Sequence, residues 1–129
     1  MEVAERLYNK GFLSYPRTET NTFKAMDIRE VIKELGNNKT SGQWGAFARK
    51  LISDRFAHER PRNGKSDDGA HPPIYPTKHA PANKLDARES RLYELVCRHF
   101  LACCSVDAKV ASTKATLSVG GEVFTLGGQ

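Results

Sequence analysis

The sequence has little cysteine and no long hydrophobic run, and each shortage excludes a class of protein. Its three cysteines form no Cys-x-x-Cys pair, and their odd number argues against a disulfide framework as well as against a zinc site. No apolar stretch is long enough to cross a membrane, and the first residues do not resemble a secretory signal. We therefore expect a soluble, intracellular chain whose cysteines, Cys97, Cys103 and Cys104, are reduced thiols on a partly buried helix.

The chain has 129 residues, which is long enough for one domain with a hydrophobic core. Lys and Arg total 20 against 15 for Asp and Glu, and the sequence pI is about 9.2. This basic excess fits contact with a polyanion, but many proteins without a nucleic-acid role carry as much. Charge alone therefore does not identify the partner.

Over most of the chain the apolar residues recur every three to four positions, which is typical of helices. We predict four helices, at residues 2–10, 27–36, 44–55 and from Asp86 onward. The second and the fourth each open with an acidic capping pair, Asp27 with Glu30 and Asp86 with Glu89.

The third and fourth helices each carry a stripe that we expect to be buried. On the third helix the stripe is Trp44, Phe47, Ala48, Leu51 and Ile52, and on the fourth it is Leu92, Leu95, Val96, Phe100 and Cys103. Trp44 suits either a stacking platform for a base or the core, and its place in the stripe favours the core.

From Ser105 the apolar period changes to two, which is typical of strands. Gly120-Gly121 provides a two-residue hairpin turn before residues 122–126. A single hairpin is too small to be a domain by itself. The sequence therefore predicts an α+β fold, with a mostly helical part followed by the start of a β-rich part.

Residues 58–83 contain five prolines, many charges and few aliphatic side chains, which predicts a long loop. Its first half, with Asp67-Asp68, is expected to be exposed and mobile. In its second half, consecutive prolines stiffen Ala70-His71-Pro72-Pro73-Ile74 and hold His71 in an extended geometry.

The stretch from Gly11 to Thr20 carries the clearest chemical signal. Pro16 favours an extended backbone at Tyr15, so Tyr15 and Arg17 should share a face. A phenol forms covalent intermediates when a neighbouring group or a metal activates it, and a guanidinium grips phosphate oxygens. The pair suggests attack by tyrosine on a phosphodiester. The alternative is a Tyr-Pro turn packed on the core, with Arg17 in solvent.

The run from Ser14 to Thr20 resembles the active-site signature of type IA DNA topoisomerases, in a form similar to topoisomerase III. Further stretches match in the same order: Ala4-Glu5-Arg6-Leu7-Tyr8, Trp44-Gly45-Ala46-Phe47-Ala48, Ala70-His71-Pro72-Pro73-Ile74, Pro76-Thr77-Lys78 and His99 to Ser105. The middle and last of these are more similar to the alpha form than to the beta form. One position departs from the alpha pattern, because Tyr75 stands where histidine is expected.

The resemblance implies a division of the chain and a reaction. Residues 1–104 would form a helical, tyrosine-bearing domain of CAP or winged-helix type, and residues 105–129 the first hairpin of a β-rich gate domain. Tyr15 would cleave one DNA strand through a 5′-phosphotyrosyl bond while another strand passes through the break. The implied catalytic residues are Tyr15, Arg17 and His71, with Glu19 orienting Arg17. The implied DNA contacts are Arg17, Thr18, Thr20 and Lys78.

The resemblance also implies a cofactor and partners. The family's Mg²⁺ is bound by acidic residues of a Toprim domain, which nothing in this sequence resembles, and we assign no metal ligand here. The substrate would be single-stranded or underwound DNA. The whole enzyme would work with a RecQ-family helicase and an OB-fold partner, in the nucleus and also in mitochondria, without a membrane partner.

Two other hypotheses stay open on the residues alone. In the first, the chain is a DNA-binding helical module in which Tyr15 and His71 only stack or pack. Its binding would be salt-dependent, as it would be for the enzyme, so binding alone does not separate the two. In the second, the chain is a structural domain that spaces other parts.

Because the magnesium-binding cluster is missing, we predict that the 129-residue chain does not cleave DNA by itself. The purified chain, incubated with end-labelled single-stranded DNA and Mg²⁺, should yield no cleavage product on a denaturing gel. Turnover under these conditions would contradict the prediction.

Overall fold

The computed structural model describes residues 1–23, 26–37, 42–54 and 57–128. In these ranges the elements are α1 (Glu2–Asn9), α2 (Ile28–Gly36), α3 (Gly42–Ser53), a short 3-10 turn (Ala82–Lys84), α4 (Ala87–Cys103), β1 (Thr113–Val119) and β2 (Glu122–Gly128). The predicted α+β class, with helices followed by strands, is confirmed. The end predicted for the third helix, Arg55, lies outside the described residues. Across these ranges every helix is too short or too polar to span a lipid bilayer.

The first residues of α2 and α4 explain where these helices begin. The Asp27 side chain accepts the backbone N–H of Glu30. Asp86 accepts the N–H of Glu89, and the Glu89 side chain accepts the N–H of Asp86 in return. Each bond satisfies a donor that the first turn of a helix leaves unpaired. Both predicted acidic caps are confirmed.

The core lies where α4 packs on α1 and α3, and where α3 packs on α2. Its apolar members come from all four helices, from the residues directly after α1 and α4, and from the loop before the 3-10 turn: Leu7, Phe12, Leu13, Ile28, Ile32, Leu35, Ala48, Leu51, Ala80, Tyr93, Cys97, Phe100, Leu101 and Cys104. Trp44 packs against this cluster, with its ring 6.3 Å from the ring of Tyr93. This placement favours the core interpretation of Trp44.

Three side chains predicted to be buried are exposed. Leu95 on α4 is 62% exposed, Cys103 is exposed, and Phe47 on α3 is 40% exposed. Two apolar stripes overlap on α4, and the core takes the one that contains Tyr93 and Cys97. Periodicity did not separate them, because tyrosine and cysteine count as weakly apolar although both pack well in cores.

The buried thiols behave as small apolar groups. Burial raises the pKa of Cys97 and of Cys104 to about 12, so both stay protonated at neutral pH. All three cysteines are free, as the sequence predicted.

The strands form the predicted antiparallel hairpin, in which Leu117 lies opposite Phe124. Gly120 and Gly121 both have positive φ, +60° and +86°, the conformation that a two-residue turn of this kind requires. Because side chains alternate along a strand, one face of the hairpin collects apolar residues. These residues, Ala115, Leu117, Val119, Phe124 and Leu126, are all exposed.

A buried carboxylate joins the first and last helices. Glu89 is only 1% exposed, and it accepts hydrogen bonds from Lys10 Nζ at 2.6 Å and from Arg6 Nε at 3.1 Å. The bond from Lys10, above all, lowers the pKa of Glu89 to about 2. These contacts fix the end of α1 on α4, directly before the segment that carries Tyr15.

We predict that this cluster stabilises the fold in a pH-dependent way. The folded pKa of Glu89 lies below its ordinary value of 4.5, so the contribution is complete above that pH and is lost as the pH falls toward 2. Glu89→Gln should lower the melting temperature at about pH 7 by several degrees and weaken the acid dependence. Thermal unfolding followed by circular dichroism at a series of pH values measures both.

Glu94→Gln is the matched control, since Glu94 forms an exposed pair with Arg98 on the same helix. It should shift stability by less than about 0.5 kcal/mol. Equal acid dependence of the Glu89→Gln and parent chains would contradict the prediction.

Candidate active site

The segment that carries Tyr15 is fixed by backbone pairing with the proline-rich loop. Gly11, with φ of +73°, ends α1 and turns the chain away from the helix. Leu13 then forms an isolated antiparallel bridge with Pro76, and the Ser14 N–H donates to the carbonyl of Tyr75 at 3.0 Å. The loop that contains His71 is thereby held against the base of Tyr15.

The hydroxyl of Ser14 reinforces this pairing from inside. Ser14 is 6% exposed, and its hydroxyl donates to the carbonyl of Pro73 at 2.8 Å while accepting the N–H of Tyr75 at 2.9 Å. A buried hydroxyl is stable only when it is hydrogen-bonded, and here one side chain satisfies two backbone groups of the loop. Ser14 therefore sets the distance between the two segments.

Tyr15 lies between two other rings. Its ring centroid is 4.8 Å from that of His71, with an angle of 32° between the planes, and 5.2 Å from that of Tyr8 in an edge-on arrangement. The side chain remains partly exposed. The structure thus brings together Tyr15 and His71, which the sequence places on different segments.

Arg17 follows a bend at Pro16 and pairs with a carboxylate of α1. Its Nε and Nη2 atoms lie 2.7 and 2.6 Å from Oε1 of Glu5. The hydrogen bond that Arg17 donates to Glu5 is the main cause that raises the pKa of Arg17, and the negative charge of Glu5 adds to it. The orienting carboxylate is therefore Glu5, whereas the sequence analysis assigned this role to Glu19.

Asp68 is the second residue that the sequence analysis missed. Its Oδ1 accepts the N–H groups of Ala70 at 2.9 Å and of His71 at 2.8 Å, and its Oδ2 lies 3.3 Å from Nδ1 of His71. The N–H of His71, followed by that of Ala70, holds the pKa of this carboxyl far below its usual range. Asp68 is thus ionised at neutral pH. The available signal was an aspartate directly before a glycine, which is typical of a turn closed by the side chain.

The first half of this loop is exposed as predicted, but hydrogen bonds tie it to the segment after Tyr15. The Asn21 N–H donates to the carbonyl of Ser66 at 3.0 Å, and the carbonyl of Asn21 accepts the N–H of Gly64 at 2.8 Å. A Cβ at position 64 would overlap the Asn21 side chain, so a larger residue there would require that side chain to move. These contacts were not predicted from the sequence.

The predicted DNA contacts occupy different positions around the site. Thr18 is partly exposed and donates to Oδ2 of Asp68 at 3.2 Å. Thr20 is 8% exposed, and its hydroxyl accepts the N–H of Asp68 at 2.9 Å. Lys78 is exposed at the other end of the pairing, with its Nζ 5.3 Å from the centre of the Phe12 ring.

A cleft of about 590 Å³ opens beside His71. Phe23, Met26 and Tyr75 give it an apolar lining, and Asp27 and Asp67 add carboxylates. In the described part of the chain, no three His, Cys, Asp or Glu side chains lie close enough to hold a metal ion together. The carboxylate nearest to His71, that of Asp68, is committed to backbone N–H groups. These residues do not fit a Mg²⁺ site.

Comparison with known proteins decides the family. The family model described as DNA topoisomerase matches residues 1–129. The chain belongs to the DNA topoisomerase family. The predicted resemblance to type IA topoisomerase III is confirmed by relatives that carry this name.

Three relatives illustrate the similarity of this topoisomerase chain to named proteins. It is 44% identical over 129 residues to DNA topoisomerase 3 of Caenorhabditis elegans, covering 99% of the chain and 16% of the relative. It is 47% identical over 128 residues to DNA topoisomerase 3-alpha of Drosophila melanogaster, covering 99% and 10%. For DNA topoisomerase 3-alpha of Homo sapiens the identity is 42% over 129 residues, covering 99% and 12%. The chain therefore spans less than a fifth of these relatives.

Within this topoisomerase chain, a phenol, an imidazole and a guanidinium are accessible at one place. Tyr15 contacts the ring of His71, and Arg17 follows Tyr15 two residues later on the same segment. A carboxylate holds each of the last two groups: Asp68 holds the imidazole of His71, and Glu5 holds the guanidinium of Arg17. Groups that are already oriented stabilise a developing charge without reorganising at the moment of reaction. The arrangement suits chemistry on a phosphodiester.

We predict that removing the Ser14 hydroxyl loosens this site. Ser14→Ala leaves the Pro73 carbonyl and the Tyr75 N–H without their partner, which should cost about 1–3 kcal/mol of unfolding free energy. Urea unfolding of the purified chain measures the loss. Ser53→Ala is the control, because its exposed hydroxyl only donates to the carbonyl of Lys50, and it should cost less than about 0.5 kcal/mol. Equal losses in the two variants would contradict the prediction.

Proposed function

We propose that this chain supplies the nucleophile of a topoisomerase that cleaves and rejoins one DNA strand. A bond forms between the Tyr15 phenol oxygen and the scissile phosphorus, and the bond from phosphorus to the 3′-oxygen breaks. The phenol loses its proton and the leaving 3′-oxygen gains one, so the products are a 5′-phosphotyrosyl bond and a 3′-hydroxyl. The hydroxyl reverses the step by attacking the same phosphorus. The observation that carries the proposal is the contact of Tyr15 with His71, 4.8 Å between ring centroids, in a chain of this family.

Arg17 is the proposed clamp on the phosphate. Negative charge builds on the phosphate oxygens during in-line displacement, and a fixed cation lowers the barrier when it binds the transition state more tightly than the ground state. Glu5 already orients the guanidinium, which has further N–H groups to donate. A phosphate can therefore bind Arg17 while Glu5 stays in place.

His71 is the proposed second contact with the phosphate. Its ring lies against Tyr15 and is exposed to solvent, so a phosphate attacked by Tyr15 would lie within its reach. Its Nδ1 faces Asp68, which leaves Nε2 for the DNA. In its protonated form the ring would add a positive charge as well as a donor.

The threonines and the lysine have weaker proposed roles. Thr18 is partly exposed, and we propose that it contacts a backbone phosphate next to the scissile one. Thr20 is buried and bonded to the Asp68 N–H, so we propose that it acts by holding the loop in place. The Lys78 ammonium, at the Phe12 end of the pairing, would contact a more distant phosphate.

The rest of the reaction requires parts of the protein beyond this segment. The Mg²⁺ and the acid that protonates the leaving 3′-oxygen would come from a Toprim domain. Mg²⁺ would supply positive charge at the phosphates when bound there. We further propose single-stranded or underwound DNA as substrate, a RecQ-family helicase and an OB-fold protein as partners, and the nucleus, with mitochondria, as location.

A division of the chain near residue 105 goes with this function. Residues 1–104 would form the helical domain that carries the nucleophile, and residues 105–129 the first hairpin of the β-rich gate. Support comes from the change of structure after α4 and from the exposed apolar face of the hairpin, which further strands of a longer chain would cover.

We predict that Tyr15→Phe abolishes the covalent adduct. The change keeps the ring and removes only the reacting oxygen, so DNA binding should persist within about threefold. The full-length protein is incubated with end-labelled single-stranded DNA and denatured to trap the adduct. Tyr8→Phe is the matched control, since its ring packs edge-on against Tyr15, and it should still form the adduct.

An adduct that survives in Tyr15→Phe, or that never forms with Tyr15 intact, would contradict the proposal. Binding without any adduct would favour the alternative function, a DNA-binding helical module without chemistry.

A further inference from the structure

Asp68 contacts His71 at two points. Its Oδ1 accepts the backbone N–H, and its Oδ2 lies 3.3 Å from the ring nitrogen Nδ1. The same Oδ2 accepts the hydroxyl of Thr18, and the Asp68 N–H donates to Thr20. The carboxylate therefore joins the His71 loop to the segment directly after Tyr15, and its position is determined from both sides.

The charge of Asp68 decides which nitrogen of His71 carries a proton. The N–H groups that it accepts hold the pKa of Asp68 far below its usual range, so the group is an ionised, acceptor-only carboxylate. A contact between this carboxylate and Nδ1 requires a hydrogen on Nδ1. In the neutral ring the hydrogen is then missing from Nε2, which is an acceptor and cannot donate to a phosphate oxygen.

We propose that Asp68 is a positioning residue that holds the Nδ1 proton of His71, so that Nε2 donates to DNA phosphate only when the ring is protonated. Asp68 thereby makes DNA binding at this site dependent on pH. The inference rests on the proposed function for the place of the phosphate, but its test does not require cleavage.

Other titratable groups lie near His71. The Tyr15 phenol packs against it from the preceding segment, and Asp67 and Asp27 line the adjoining cleft. Asp67 is bonded elsewhere, with Oδ1 accepting the N–H of Gly69 at 3.0 Å. Asp67 carries the same charge in the same loop and lines the same cleft, which makes it a suitable comparison for Asp68.

The test measures the affinity of the full-length protein for a fluorescent single-stranded oligonucleotide at constant ionic strength. The protein carries Tyr15→Phe, so that binding is observed without cleavage. The pH runs from about 5.5 to 8.5. In this background we expect affinity to fall about three- to tenfold as the pH rises, because a charge-assisted hydrogen bond is lost.

Adding Asp68→Asn should reduce this fall to the smaller effect of losing the positive charge of the ring. The amide oxygen still accepts the two backbone N–H groups, but the NH₂ group now faces Nδ1, so the neutral ring places its hydrogen on Nε2 and donates at every pH. Asp67→Asn removes the same charge from the same loop and should keep the fall. His71→Gln should bind more weakly and show no fall.

A fall as large in Asp68→Asn as with Asp68 intact, or one that persists in His71→Gln, would overturn the proposal. If circular dichroism shows that Asp68→Asn is not folded, Asp68→Ser replaces it, because a hydroxyl still closes the loop and leaves Nδ1 without its carboxylate. That variant should also show a reduced fall, and an undiminished fall there would overturn the proposal. Failure of the proposed function would appear separately, as an adduct that survives Tyr15→Phe.

Discussion

The backbone pairing of residues 12–14 with residues 75–77 joins two distant parts of the chain, and the candidate site depends on it. Through this pairing the loop that carries His71 lies against the segment that carries Tyr15. The contact is short, but the buried Ser14 hydroxyl strengthens it by bonding to the loop on both sides of Ile74. Backbone hydrogen bonds position groups more rigidly than side-chain contacts do, which suits a site where small displacements reduce the rate of reaction.

Carboxylates hold the basic groups around this pairing, although the chain as a whole is basic. Glu89 holds Lys10 and Arg6 and thereby fixes α1 on α4. Glu5 on α1 orients Arg17, and Asp68 orients His71. Each bond neutralises part of the positive charge of the basic group and fixes the orientation of that group. The basic excess of the chain attracts polyanions, and the acidic residues fix the orientation of the basic groups.

The elements of the fold could be predicted from the sequence because their signals are local. Acidic caps at Asp27 and Asp86, Gly11 after α1, and the Gly120-Gly121 turn each act within a few residues. The buried face of α4 could not be predicted, because two stripes overlap and only tertiary packing selects between them. Tyr15, Arg17 and His71 were predicted as site residues by type and motif, and the structure places Tyr15 against His71. Glu5 and Asp68 were not, since their partners become visible only when the chain has folded.

The assignment of Tyr15 as the residue that bonds to DNA is tested most directly by locating the bond. The adduct of the full-length protein is trapped, digested with nuclease and trypsin, and analysed by mass spectrometry. Trypsin cuts after Lys10 and Arg17, so the peptide Gly11–Arg17 contains Tyr15 as its only tyrosine, while Tyr8 falls in the preceding peptide. A nucleotide on Gly11–Arg17 is the predicted result, and a nucleotide on the Tyr8 peptide or anywhere else would contradict the assignment.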